Sequence, residues 1–282
     1  MRIAKRNTHR GEKDQRLVNV GYNFGMKVTL QARETGGGTV RAADSATNAG
    51  LQRMEIPAGP GGKYRWAQLD DYMGLPRGTF PWRAPLRLEL RARVSAADLP
   101  GTWGFGFWND PFSMSFAIGG TARRLPALPN AVWFFYAGQP NYLAFHDHHP
   151  AQGLLAATFA SANIPSLLLA PGALALPLMA LPPAARLIRK AAGLFVKDDA
   201  ALVPGDPTVW RTYRIDWRDR EAQFFVDGVQ VFATPVEPRP PLGLVIWIDN
   251  QYAAFPPTGR LRMGTSPNLE PAWLEIDELE VN

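Results

Sequence analysis

The chain has 282 residues, with 30 Lys and Arg against 25 Asp and Glu. It has no cysteine, which excludes disulfides and thiolate metal sites, and its 26 glycines and 26 prolines suit one large all-β domain of many short strands and turns. Residues 1–16 hold six of the basic and two of the acidic groups, so the other 266 residues are close to neutral. That distribution argues against a phosphate-tracking groove and hence against a nucleic-acid partner.

Residues 1–16 read as a basic, disordered tail, and 17–282 as a β-sandwich domain. No apolar run follows the basic residues, so the expectation is no signal peptide and a cytoplasmic location, with peripheral membrane contact as the variant. The pieces GYNFGMKVTLQAR and GTVRAADSATNAGLQRMEI are strand-like and separated by three glycines at 36–38. YRWAQLDDYMGLPRGTFPW follows, with Asp70 at the end of the Trp66 strand. In PLRLELRARV, Leu86, Leu88, Leu90, Ala92 and Val94 alternate with Arg87, Glu89, Arg91 and Arg93, the period of a strand with one face in solvent. GTWGFGFW carries aromatics throughout, which predicts cover on both faces; Asn109 and Asp110 come directly after it.

Three of the four histidines lie in His146-Asp147-His148-His149. On a strand, His146 and His148 would share a face at a spacing that chelates a transition metal, although a third ligand is still needed. His146 also qualifies as an acid/base without metal. The bland alternative is a surface loop ended by Pro150.

Residues 150–200 read as a hydrophobic, amphipathic and mostly helical insertion. There is no Asp, Glu, Lys or Arg from 148 to 185, but the recurring prolines break any single membrane span. In PAARLIRKAAGLFVK an apolar stripe of Leu187, Ala191, Leu194 and Phe195 opposes a basic one of Arg186, Arg189, Lys190 and Lys197. The plain expectation is that the apolar stripe packs on the sandwich. The alternatives are a lid over an amphipathic or hydrophobic small molecule, or peripheral membrane contact through 164–197.

WRTYRIDWRDREAQFFVDGVQVFAT at 210–234 predicts three strands joined by two tight turns, the second at Asp227-Gly228. PLGLVIWIDN has no polar face and predicts a central strand, with Asp249, Asn250, Gln251 and Tyr252 at its end. AWLEIDELEV closes the chain as a last strand.

The pattern W-x-x-Y-x-I-x-W … F-x-V-D-G-x-x-V, preceded by L-x-L-x-A-R-V … G-T-W-G-F-G-F-W, resembles the concanavalin A-like superfamily. Family 16 glycoside hydrolases and laminin G-like modules belong to it. The resemblance covers about residues 60–110 and 208–282. It implies a jelly-roll sandwich of two antiparallel sheets and a glycan-directed role, either carbohydrate binding or noncanonical glycoside hydrolysis in an aromatic cleft. Family 16 enzymes carry E-x-D-x-x-E soon after the tryptophan-rich strand, where a retaining reaction needs two carboxylates about 5 Å apart. Here that stretch reads NAVWFFYAGQPNYLAF, without a carboxylate. The literal E-x-D-x-x-E at Glu275–Glu280 lies at the C-terminus, where the superfamily has a structural strand.

The resemblance therefore places Trp103, Trp108 and Trp247 in the cleft. Asn109, Gln251 and Tyr252 join them as ligand-binding residues, with Asp110, Asp249, Asp70 and His146 as candidate catalytic groups. The polar residues serve equally well as turn formers. No cofactor is required, and Asp277 matches an aspartate that helps hold a structural calcium ion in related sandwiches. A purely structural or interaction module is the third reading.

Overall fold

The computed structural model describes residues 17–20, 28–42, 50–111, 124–165, 169 and 181–282. The expected tail at 1–16 and most of 166–180 lie outside them. The strands, in chain order, are β1 (Leu17–Val20), β2 (Val28–Thr35), β3 (Thr39–Ala42), β4 (Gln52–Ile56), β5 (Trp66–Asp70), β6 (Leu86–Val94), β7 (Thr102–Trp108), β8 (Ala131–Ala137) and β9 (Gly153–Ser161). Helix α1 (Pro182–Phe195) follows, then β10 (Val196–Leu202), β11 (Arg211–Arg218), β12 (Glu221–Val226), β13 (Val229–Thr234), β14 (Gly243–Asp249), β15 (Gln251–Ala254), β16 (Arg262–Thr265) and β17 (Ala272–Val281).

They form two large antiparallel sheets, as a jelly-roll sandwich requires. One runs β1-β2-β5-β14-β7-β8-β9-β10, the other β13-β12-β11-β6-β17-β4-β3; β15 and β16 make a separate hairpin. The two-residue alternation read in β6 appears as alternating burial along the strand. The two predicted turns sit at Asp219-Arg220 and Asp227-Gly228. The second has φ of 50° and 79°, the left-handed pair that matches strand twist in a tight hairpin. All seven residues of β14 are buried, as a strand covered on both faces must be.

The main core lies between the facing sheets. Phe105 and Phe134 of the larger sheet meet Tyr213 of the smaller one edge-on, at 5.2 and 5.1 Å between ring centroids. Phe107 meets Trp217 at 6.2 Å. Such pairs add to the apolar area they remove from water.

Two expectations need correction. The interval 150–200 is not one insertion: β9 and β10 within it pair with each other along seven residues and form an edge of the larger sheet. The apolar and small residues of GLLAATFAS pack on both faces of a sheet as well as they would on a helix, and periodicity alone does not separate the two. Helix α1 is real, but its apolar stripe does not pack on the body, and of the basic stripe only Arg189 turns inward while Arg186 and Lys190 stay exposed. Arg189, assigned to the outer basic stripe, is 5% exposed, whereas Leu187 and Leu194 of the apolar stripe are 70% and 80% exposed. Among the described residues no helix is long and apolar enough to cross a membrane.

Candidate functional site: an aromatic outer face on the larger sheet

The outer face of the larger sheet follows from period two and strand register. β5 contributes Trp66, Gln68 and Asp70; β14 contributes Val245, Trp247 and Asp249; β7 contributes Thr102, Gly104, Gly106 and Trp108. β8 contributes Trp133 and Phe135, and β9 contributes Leu155, Ala157 and Phe159. One row across the sheet reads Gln68, Trp247, Gly104, Phe135, Leu155; the next reads Asp70, Val245, Gly106, Trp133, Ala157. The glycines of β7 make room between bulky neighbours. A β-carbon on Gly106 would stand 2.6 Å from that of Trp133.

The rings form a continuous patch separate from the main core. Trp133 lies 5.7 Å from Trp108, 5.4 Å from Trp247, 5.3 Å from Phe135 and 6.1 Å from Phe159, between centroids. Trp66, Trp108, Trp133 and Phe159 are half-buried and so present ring surface to solvent. Among the described residues the buried indole N–H of Trp133 has no hydrogen-bond partner, an unmet donor inside the patch.

Of the three tryptophans expected in a cleft, Trp108 and Trp247 lie on this outer face. Trp103 does not: it is 1% exposed, faces the inter-sheet core and stacks on Tyr136 at 5.6 Å. In β7 the residues 103, 105 and 107 all point inward, so an aromatic on both faces holds only for Trp108. Trp133, Phe135 and Phe159 were not singled out. Their signal in the sequence is the odd-numbered aromatic pair Trp133 and Phe135 on β8.

The acids of this face are tied into the scaffold. Asp249 Oδ1 accepts the Thr102 hydroxyl at 2.9 Å and the backbone N–H groups of Gln251 and Thr102 at 3.0 and 3.2 Å. Trp247 Nε1 donates to that same hydroxyl at 2.9 Å. Burial pushes the Asp249 carboxyl up to about 7 despite these donors. Asp70 is fully buried, accepts Gln68 Nε2 at 3.0 Å and the Met73 N–H at 2.9 Å, and has Arg33 at 3.6 Å. Burial raises its pKa as well. Asp110 has a φ of 46° and is ion-paired with Arg124. Asn109 spans a loop, donating to Leu128 O at 2.8 Å and accepting from Asn130 N at 3.0 Å. Gln251 and Tyr252 belong to the β15–β16 hairpin beyond the end of β14, and both are half-buried.

The histidines sit in a turn-rich loop and not on a strand, so the two-residue face sharing does not arise. Their rings are close all the same: His148 and His149 are 3.9 Å apart, His146 and His148 5.8 Å. His146 Nδ1 makes a short hydrogen bond with Asp198, whose other oxygen accepts the Phe145 N–H at 2.8 Å. His149 Nδ1 lies 3.5 Å from Asp199, and burial lowers its pKa. Asp198 and Asp199, together with Trp133, Phe135 and Phe159, line a small apolar cavity of about 30 Å³ beside this loop. That is room for a water molecule and not for an acyl chain.

Among the described residues no three His, Asp or Glu gather as a metal site. Asp277 lies on the smaller sheet, 2% exposed, with Arg91 at 3.5 Å. A carboxylate already facing a guanidinium does not fit a calcium ligand in this conformation. Glu275 of the C-terminal acidic motif is held by Arg53 at 3.1 Å and Arg93 at 2.8 Å, on the opposite sheet from the aromatic patch.

No protein-family model matches the sequence, and no curated protein matches it. Solved structures similar to the fold include a glycoside hydrolase family protein from Mycobacterium thermorestibile, 15% identical, covering 82% of this chain and 76% of its own, with a TM-score of 0.42. A family 16 enzyme of the Bacteroides ovatus mixed-linkage glucan locus is 10% identical, covering 88% and 86%, with a TM-score of 0.43. An endo-β-galactosidase from Clostridium perfringens is 11% identical, covering 85% and 53%, with a TM-score of 0.39.

Proposed function

We propose that this chain is a glycan-directed protein that holds a saccharide against the aromatic outer face of its larger sheet. The observation that carries the reading is the patch in which half-buried Trp108 and Trp133 present ring surface to solvent, with Trp247 packed beside them. A pyranose offers a C–H face that stacks on such rings and hydroxyls that pair with neighbouring polar groups.

Binding is favoured over hydrolysis by the state of the carboxylates. β8 offers Trp133 and Phe135 where a retaining pair would stand, and Asp70, Asp110 and Asp249 are each engaged by several donors or an arginine. A hydrolytic role would fall to another proton-transferring pair, and His146 with Asp198 beside the cavity is the arrangement suited to it.

The test is a polysaccharide and oligosaccharide array followed by calorimetry on the tightest ligand. Trp108→Ala is expected to weaken binding about fivefold or more, since stacking on a ring contributes on the order of 1 kcal/mol, and Trp133→Phe, which keeps a smaller ring, is expected to weaken it less. A chain that binds no saccharide, or binds equally well in both variants, overturns the proposal. Release of reducing ends that disappears in His146→Asn would turn the reading from binding to hydrolysis.

A further inference from the structure

Helix α1 carries its apolar ridge on the side away from the protein body. Successive residues advance 100° around a helix, so Leu187, Ala191 and Leu194 share one face with Pro183, opposite Ala185 and Arg189. The structure leaves no doubt which face is inside. Arg189 Nη1 donates to Ala144 O at 2.6 Å and Phe255 O at 2.7 Å, and its Nη2 to Asp147 at 2.7 Å. A guanidinium locked by three acceptors fixes the rotation of the helix, and with it the outward direction of Leu187 and Leu194.

The surroundings of the ridge have one sign of charge. Arg186 and Lys190 flank it, both exposed. The adjoining turn at 258–263 touches Pro182 and Arg186 through Gly259 and adds exposed Arg260, Arg262 and Met263. None of these four cations has an ion pair among the described residues, and the sequence from 148 to 197 contains no carboxylate. Leu181 and Phe195, 58% and 49% exposed, extend the apolar surface at the two ends of α1. A water-facing helix of a soluble protein has the reverse arrangement.

We infer that α1 lies on an anionic lipid surface, its leucine ridge in the headgroup–acyl boundary and Arg186, Lys190, Arg260 and Arg262 on the phosphates. The inference stands independently of the glycan reading, since none of these residues belongs to the aromatic patch. Apolar area and cationic flank act together at such an interface, and each lysine or arginine near the surface strengthens binding several-fold.

The experiment is co-sedimentation of the full chain with phosphatidylcholine vesicles, with and without phosphatidylglycerol. Binding is expected only to the anionic vesicles, and Leu187→Glu with Leu194→Glu is expected to weaken it at least about tenfold. Both sites are exposed, so the thermal midpoint should stay unchanged and report that the fold is intact. Arg186→Gln with Lys190→Gln should weaken binding by roughly tenfold. Equal binding to neutral vesicles, or anionic binding untouched by the leucine changes and so carried by the basic residues at 1–16, overturns the inference. So does a dimer in analytical ultracentrifugation that the leucine changes dissolve, because the ridge would then seat a second copy.

Discussion

Trp247 lies across Gly104, so closely that a β-carbon on that glycine would stand 2.8 Å from Cη2 of the indole. It would also meet the Phe134 carbonyl oxygen at 2.4 Å, and backbone cannot yield cheaply. The alternating glycines of β7 are thus the floor on which the aromatic patch is laid. Gly104→Ala is expected to cost about 1–3 kcal/mol of stability and to shift the fluorescence of Trp247. Chemical denaturation checks the first outcome and the emission spectrum the second. An unchanged spectrum would show that the indole does not depend on the glycine.

Arg189 serves α1 as a buried anchor. Arg189→Leu removes the donor to two carbonyls and to Asp147, leaving Ala144 O and Phe255 O unsatisfied beneath the helix. The expected loss is about 2–4 kcal/mol, concentrated in local opening. Amide hydrogen exchange should accelerate through 182–195 and 144–147 while the core of β14 stays protected. Uniform acceleration across the chain would mean that the helix and the sandwich unfold as one unit.

What the sequence disclosed depended on whether a pattern had one physical cause. β6, β11 and the Asp227-Gly228 turn were legible because period two and left-handed turn chemistry each have a single structural solution. β9 was misread as insertion because an apolar run buried on both faces has no period to betray it. The rotation of α1 was hidden for a different reason. Amphipathicity locates the stripes but not which residues the body takes, and here three oxygen acceptors supplied by distant loops draw in Arg189 alone of the basic ones, beside Ala185. On the aromatic face, Trp108 and Trp247 were found from their strands, while Trp103 failed by one step of the pleat. Trp133 lies on β8, a strand apolar on both faces, whose sequence gives no sign of which residues face outward.

Asp198 organises the histidine loop from the edge strand β10. Its carboxylate holds the ring of His146 and caps the N–H of Phe145. Asp198→Ala should free His146 and leave that N–H unpaired, at a cost of about 1–3 kcal/mol. Broadened imidazole resonances of His146 in the NMR spectrum, with the sheet resonances unmoved, are the expected signature. If saccharide binding survives while any hydrolysis is lost, the loop acts on the reaction and not on recognition.

Asp249 makes a pH-dependent contribution whose sign follows from burial. Its carboxyl ionises near 3.8 when exposed and is pushed up to about 7 in the folded chain. Between those values the unfolded chain has released the proton and the folded chain has kept it, so the folded state binds more protons and stability falls as pH rises. The contribution is fully present below about pH 4 and is lost by the time pH passes about 7. Asp71, also pushed up to about 7 by burial, adds to the same slope. Asp249→Asn keeps an oxygen for Thr102 and Gln251 but carries no charge, so its thermal midpoint should decline less than that of the wild type between pH 5 and 8. Above pH 7 the variant should match or exceed the wild type in stability. A parallel decline in both proteins would show that the carboxylate is already ionised in the folded state, and that its hydrogen-bond donors outweigh its burial.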